Sequence, residues 1–488
     1  MTHVPALLVL LPFTAAALCL LLPIRPLVRL FGLVAPWVSL GVAALVLDHV
    51  LRVGPLAYAF GDWAAPSGVV FRADGLSALA LIVTNLVAAV LLPLLHRDSA
   101  AHPPGRTALQ SALALAFLGA INGIALSHDL FSLIILIEIM TLATCGLIAA
   151  GRIRRSLVTA FHALVFQSTG TAFLLMGTAM LYARAGSVDL LDLAGRLAGA
   201  NDRATTIGAA MVLLGLAIKG GLFPFHGWLS RTYIDAPAPI AAVVGGIAPT
   251  AIAYVLLRIS TAVLGGGPSF LSANGAWGLA AVAALFVLAP SALAALQRDI
   301  RPVVALLAAA HLGYVAVGAG AINLAGATAG MAVIVAHGVA VTAAVAAIGC
   351  LQHAQLPTAL DQLGTLRRRS PMVAAALACA LFAFAGVPLT VGFAGRWHVA
   401  LGMIERDAWA ALILVALSSG VALIAAARVA QRLLFGPVAP IERPVPFPLA
   451  LSVPATLFGL ATVYFGLNAA LYVGLADEAA KLLMRGPP

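Results

Sequence analysis

Long apolar runs follow one another through the whole chain, separated by short segments that carry Arg, Gly, Pro or Asp. A helix of about 20 residues, rising about 1.5 Å per residue, crosses the roughly 30 Å hydrocarbon layer of a bilayer. Runs of that kind recur near 5–23, 30–51, 76–95, 108–126, 130–150, 157–183 and 206–229, then near 240–258, 272–296, 302–321, 325–350, 371–404, 410–435 and 447–473. Only 9% of the residues are charged and 62% are hydrophobic, whereas a soluble domain carries about 25% charged residues to cover its core. The same balance excludes disorder, collagen, coiled coil and a secreted disulfide scaffold. The sequence therefore predicts an all-α polytopic membrane protein, one membrane domain over 1–488 with about 14 transmembrane helices.

Two stretches lack the length or pattern of a span. Val53–Asp74 alternates apolar residues with Gly, Pro and Trp, which predicts a β-hairpin on one membrane surface. Val188–Ala200 places Leu190, Leu191, Leu193 and Leu197 at helical spacing opposite Asp and Arg, which predicts a short interfacial helix. Pro5–Pro23 has no basic residue before it and Arg25 and Arg29 after it, so it reads as the first span rather than a cleaved leader. Cys19, Cys145, Cys350 and Cys379 lie in apolar runs without metal-ligand spacing, and predict packing residues; no metal or cofactor is expected.

The net charge of +10 would point to nucleic acid in a soluble chain. Here the basic residues sit mainly between spans, where topology selects them, and no nucleic-acid partner is expected. With the amino terminus outside, one side collects 16 of them, among them Arg25, Arg29, Arg97, Arg106, Arg152 and Arg443. The other side collects nine, including Arg52, Arg72, Arg258 and Arg485. This bias predicts that both termini lie outside the cytoplasm.

A charge at the centre of a span costs about 2.5–3.5 kcal/mol on insertion scales, so the few present mark candidate function. Glu138 is the only carboxylate well inside a span, and Lys219, one of two lysines in the chain, lies within the apolar run Val212–Phe225. Desolvation favours the neutral form of both side chains. A pair that can approach and separate can therefore pass a proton; a static ion pair joining two helices is the alternative. His311 and His337 fall within spans and His162 and His226 in or beside them, which adds titratable groups along a polar path. Pro224 with two glycines interrupts the seventh span, and Pro388 with Gly386 and Gly392 the twelfth. Backbone freed by a break is tolerated inside a membrane only where protein or a wet cavity satisfies it. Breaks five spans apart, in opposite orientations, point to an inverted repeat around an ion path. Two ordinary proline kinks are the plainer alternative.

Glu138 in DLFSLIILIEIM, Lys219 in AIKGGLFPFHGWL, the APAP at 236–239, His311 in HLGYVAVG, His337 and GVPLTVGFAGRW together resemble the antiporter-like membrane subunits. Respiratory complex I, membrane-bound hydrogenases and Mrp-type multisubunit cation/proton antiporters share these subunits. The resemblance covers about residues 55–435, and the runs GAINGIALSHDLF and LYARAGSVDLLDLAGR look most like the D subunit of Mrp antiporters. It implies three N-terminal helices over 1–107, inverted five-helix repeats over 108–260 and 270–436 (spans 4–8 and 9–13), and a C-terminal helix and tail over 437–488. It also implies broken helices 7 and 12. Glu138 and Lys219 would form the proton relay with His311 and His337 on a central axis, and Arg396, His226 and Thr250 would act as gate or ion-pair positions. Thr250, Val341 and Arg396 stand where the family carries titratable side chains, and a guanidinium does not release its proton.

The implied function is proton translocation within a multisubunit Na+/H+ antiporter of a bacterial inner (cell) membrane. The implied partners are other membrane subunits of a hetero-oligomeric complex, the lipid bilayer, protons and Na+. Three alternatives stand beside it: a proton-pumping subunit of a complex I (NADH:quinone oxidoreductase) or hydrogenase-like enzyme, a degenerate scaffold subunit, and an energising partner in inorganic-carbon uptake. The chain has no flavin, iron–sulfur or quinone-chemistry motif, so any redox work would fall to other subunits.

Overall fold

The computed structural model describes residues 3–96, 103–151, 154–200, 202–265, 278, 281–282, 284–438 and 446–484. Arg97, Arg152, Arg443 and Arg485, and the start of the span expected at 272–296, lie outside the described residues. Eleven helices among the described residues are long and apolar enough to cross a membrane. The three expected spans outside this set are the one just named and the two carrying a proline break. The chain groups into two compact units, one of Met1–Gly220, Ile247–Gly275 and Leu475–Pro488, the other of Gly221–Gly246 and Ala276–Gly474.

In the first unit, α1 (Val4–Leu21), α2 (Arg25–Arg52), α3 (Gly75–Leu91) and α4 (Pro104–Leu126) precede α5 (Leu130–Ala149) and α6 (Arg154–Ala185). Ala15, Ala16, Cys19, Val28, Ala35, Ala108, Ala112 and Leu115 pack where α1, α2 and α4 meet; small side chains allow the helices this approach. The expected hairpin is present: β1 (Leu56–Ala59) pairs antiparallel with β2 (Val70–Ala73), Tyr58 opposite Phe71. The expected surface helix is α7 (Leu190–Leu197), capped by Asp189 through the Leu191 and Asp192 amides.

After α7, α8 (Arg203–Lys219) runs against α6 along a seam of glycines. A Cβ on Gly177 would lie 2.6 Å from the Gly208 carbonyl oxygen, and one on Gly215 would lie 2.8 Å from the Gly170 carbonyl oxygen. Gly170 and Gly177, like Gly208 and Gly215, are seven residues apart, two helical turns, so each pair shares one face. The seam brings the end of α8 against α6, and a Cβ on Gly170 would stand 3.1 Å from Lys219 Cγ.

The seventh span is broken as the sequence predicted: α8 ends at Lys219, and α9 (Gly227–Asp235) begins seven residues after Gly220. α10 (Ala238–Arg258) keeps Pro249 inside the helix and passes into a π-helical turn at Ile259–Val263.

In the second unit, a π-helical turn (Ala284–Leu288) leads into α11 (Ala289–Leu296), then α12 (Ile300–Ala321) and α13 (Leu324–His353), whose membrane-length window is wholly buried. A short α14 (Gly364–Arg369) precedes the twelfth span, which splits into α15 (Pro371–Ala385) and α16 (Val391–Ile404); α17 (Trp409–Phe435) follows. The final span is shorter than expected from 447–473: α18 (Leu449–Leu467) stops before Asn468, and α19 (Ala470–Met484) is separate. Lys481 of α19 pairs with Asp477 at 2.7 Å and Glu478 at 3.0 Å, so this segment carries a charged face that a spanning helix would not.

A backbone detail repeats between the units. An isolated bridge joins Asp129 to Asp189 in the first, and another joins Asp299 to Ala359 in the second, each across 60 residues of chain. In both, the first aspartate caps the following helix, Asp129 through the Ser132 amide and Asp299 through the Arg301 amide.

Candidate functional site

Glu138 and Lys219, 81 residues apart in the chain, meet in the first unit. Glu138 stands on α5, and Thr141, one turn further along, faces the same way. Lys219 Nζ donates to Glu138 Oε2 at 3.0 Å and to Thr141 Oγ1 at 2.8 Å. Thr171 of α6 donates to the same Glu138 oxygen at 2.6 Å. The Lys219 side chain is fully buried, whereas 31% of the Glu138 side chain is exposed. One partner thus depends entirely on the pair and the other does not.

The helix break explains where the lysine sits. Lys219 lies within an apolar run by sequence, but it is the last residue of α8, where four backbone carbonyls lack helical partners and the helix dipole is negative. A cation is favoured there. Gly221 continues the chain at φ 65°, a left-handed conformation that suits glycine.

His311 of α12 and His337 of α13 meet in the second unit, with ring centroids 5.8 Å apart. Phe384 of α15 lies against both, at 5.7 Å and 6.0 Å. Both histidines are buried, and none of their four ring nitrogens has a hydrogen-bond partner among the described residues. Buried polar atoms of this kind are uncommon and mark polar chemistry in an apolar setting.

Arg396 takes a role the sequence did not disclose. Its guanidinium donates to the Ala385 carbonyl at 2.6 Å and to the Phe384 carbonyl, the last acceptors of α15, and to Ser419 Oγ at 2.8 Å. It also lies 4.2 Å from the centre of the Tyr314 ring. Among the described residues no carboxylate forms an ion pair with it; the backbone at the break supplies two of its acceptors. Gly386 ends α15 at φ 69°, and a Cβ there would run into the Arg396 side chain. Each broken span therefore holds a cation at the carbonyl end of its first half-helix.

Of the remaining expected positions, Thr250 is buried in α10 beside Pro249, and Val341 is buried in α13. Pro224 lies in the break after Lys219, Pro388 lies in the break before α16, and the His226 ring stacks on Phe223 at 5.0 Å.

Sequence reasoning missed a second buried charge cluster. Arg258, grouped by sequence with the arginines between spans, is only 3% exposed. It donates to both Asp74 oxygens at 2.6 Å and 2.9 Å, to Ser77 Oγ at 3.0 Å, to Tyr254 Oη at 2.8 Å and to His128 Nε2 at 3.0 Å. Burial raises the Asp74 pKa, but the Arg258 guanidinium outweighs it and holds the carboxyl well below the usual range. Burial, reinforced by Arg258, pushes His128 down to about 3, so its neutral ring can accept from the arginine. The available signal was Arg258 near the end of an apolar helix and Asp74 just before α3.

Comparison with known proteins shows the family to which the chain belongs. Residues 127–422 match the family described as NADH:quinone oxidoreductase/Mrp antiporter, TM. The chain is 29% identical over 483 residues to NADH-quinone oxidoreductase subunit N of Desulforudis audaxviator (strain MP104C), covering 95% of this chain and 96% of that one. It is 25% identical over 466 residues to the D subunit of the Na(+)/H(+) antiporter of Bacillus subtilis (strain 168), covering 94% and 92%. A chain in the structure of the Mrp complex from Dietzia sp. DQ12-45-1b shares its fold, with a TM-score of 0.88 at 23% identity over 99% of this chain and 98% of that one. With the buried Glu138–Lys219 pair and the broken helices in place, the chain is an integral membrane protein and belongs to the NADH:quinone oxidoreductase/Mrp antiporter family of antiporter-like membrane subunits.

Proposed function

We propose that the chain carries protons across the membrane as one subunit of a larger membrane complex, with Lys219 and Glu138 as the switch. The carrying observation is the 3.0 Å contact between a fully buried Lys219 and Glu138, made at the end of a half-helix. While Glu138 is charged, it and Thr141 hold the proton on Lys219 Nζ. When Glu138 is neutralised or drawn away, the buried ammonium loses its counter-charge and gives up that proton. Within the second unit, His311 and His337 form a polar station of their own, and Arg396 sets the field at the break of the twelfth span.

For the assembly, the higher identity to the oxidoreductase relative supports a proton-pumping arm of a quinone-reducing complex. The likeness to the Na(+)/H(+) antiporter relative supports the Mrp-type cation/proton antiporter with Na+ as coupling ion. Two inverted five-helix repeats and termini outside the cytoplasm belong to the same proposal. The assembled complex, placed in vesicles with a pH-sensitive dye, tests the switch: Glu138→Gln and Lys219→Ala should abolish transport while the complex stays assembled. Transport intact in either variant refutes it. Mass spectrometry of co-purifying chains separates the assemblies, since flavin and iron–sulfur subunits appear only with the redox complex. Lys in place of Thr250 or Arg396, if it created transport absent from the natural chain, would establish the degenerate scaffold instead.

A further inference from the structure

A cavity of about 440 Å³ opens in the first unit, beside the hairpin and at the ends of α5 and α6. Asp129, Asp189, Thr178, Phe131, Tyr182 and Pro66 are among the residues that line it, and no Lys or Arg is among them. The two aspartates are held close by the backbone, with the Leu130 amide on the Val188 carbonyl at 2.9 Å and the Leu190 amide on the His128 carbonyl at 2.8 Å.

Two polar atoms in this wall have work left undone. Asp129 Oδ1 accepts from the Ser132 amide at 2.6 Å and caps α5, but its Oδ2 is buried without a partner among the described residues. Thr178 is 7% exposed, and its hydroxyl also has no partner among the described residues. Thr169 on the same helix instead donates to a backbone carbonyl one turn back, at 2.9 Å. An unpartnered carboxylate oxygen and an unpartnered hydroxyl, both on residues that line one cavity, call for a ligand that is positive and donates hydrogen bonds.

The size and the remaining wall narrow its chemistry. A bare Ca²⁺ takes about six to eight oxygens at roughly 2.3–2.6 Å, whereas a cavity of 440 Å³ has the volume of an organic ligand site. Phe131 and Tyr182 also line it, each more than half exposed. Aromatic faces beside a carboxylate suit an alkylammonium group. We propose that this cavity binds a primary alkylammonium, with its N–H groups donating to Asp129 Oδ2 and Thr178 Oγ1. Its source is either the headgroup of an ethanolamine phospholipid or a soluble amine.

Native mass spectrometry of the full-length chain in detergent tests this, with phosphatidylethanolamine and phosphatidylglycerol of identical acyl chains supplied together. Preferential retention of phosphatidylethanolamine is expected, displaced by added ethanolamine. Asp129→Asn keeps the helix-capping oxygen while removing the charge, and Thr178→Val removes only the hydroxyl. Each should weaken retention by about tenfold, the scale of one lost hydrogen bond to a charged group. If phosphatidylethanolamine is not preferred but ethanolamine alone raises the melting temperature, and Asp129→Asn removes that shift, the ligand is a soluble amine. Equal retention of both lipids with no ethanolamine effect overturns the proposal, as does binding unchanged in both variants.

Discussion

Replacing Glu138 with glutamine is the most informative single perturbation. Glutamine keeps an oxygen for the Thr171 hydroxyl but removes the charge facing Lys219. Two unit charges 3.0 Å apart attract by about 5.5 kcal/mol at an effective dielectric of about 20. Removing one member of a buried pair costs about 3–5 kcal/mol by experience, because the survivor stays buried and uncompensated. The burial is unequal, and this makes the expectation directional. Glu138→Gln strands a fully buried ammonium with only Thr141 and should cost about 3–5 kcal/mol. Lys219→Met leaves a carboxylate that is 31% exposed and still bonded to Thr171, so it should cost less, about 1–3 kcal/mol. The double variant should recover most of the loss and give a coupling energy of at least about 2 kcal/mol. Stability is read from detergent-induced unfolding in mixed micelles, and transport from vesicle acidification by the assembled complex. All three variants should be silent in transport, including the double variant whose stability returns. If Glu138→Gln were no worse than Lys219→Met, or the double variant no better than either, the buried-pair reasoning would be refuted.

Three further expectations follow from other residues. Arg258→Met leaves Asp74 buried without its bidentate partner and should destabilise the chain by about 3–5 kcal/mol, measured by the same unfolding titration. His128 stays neutral in the folded chain down to about pH 3, while the unfolded chain takes up that proton near pH 6.5. Its contribution is therefore complete above about pH 6.5 and falls by about 1.4 kcal/mol per pH unit on acidification towards pH 3. His128→Gln should flatten that slope between about pH 6.5 and the ordinary carboxylate range near pH 4, and an unchanged slope would exclude His128 as its source. Gly170→Leu pushes bulk into the seam against Lys219 and should cost about 1–3 kcal/mol and reduce transport, as measured by unfolding and vesicle assays.

Much of this was legible in the sequence because the informative residues are rare. One acid well inside a span and one of only two lysines identify a pair whatever the helix geometry. The hairpin showed in its alternation, and the two breaks showed in their prolines. Arg258 and Arg396 were harder for the same reason. An arginine near a helix end reads alike whether it reaches solvent or folds inward to an aspartate 184 residues away. Arg396 finds its acceptors in main-chain carbonyls, which leave no mark in the side-chain pattern. The end of α18 was missed because the apolar run continues through Leu467 and Asn468 into Leu471 and Tyr472, and hydropathy alone does not register the turn.

The glycine seam between α6 and α8 has a mechanical consequence. Backbone lies almost directly against backbone at Gly177 and Gly208 and again at Gly170 and Gly215, so there are no side chains to act as bearings. Sliding one helix along the other would drive side chains into these notches. The pair therefore forms a single stiff post, which leaves the four-carbon arm of Lys219 and the glycine link that follows it as the adjustable parts beside Glu138. The proposed switch would thus swing a lever on a fixed mount.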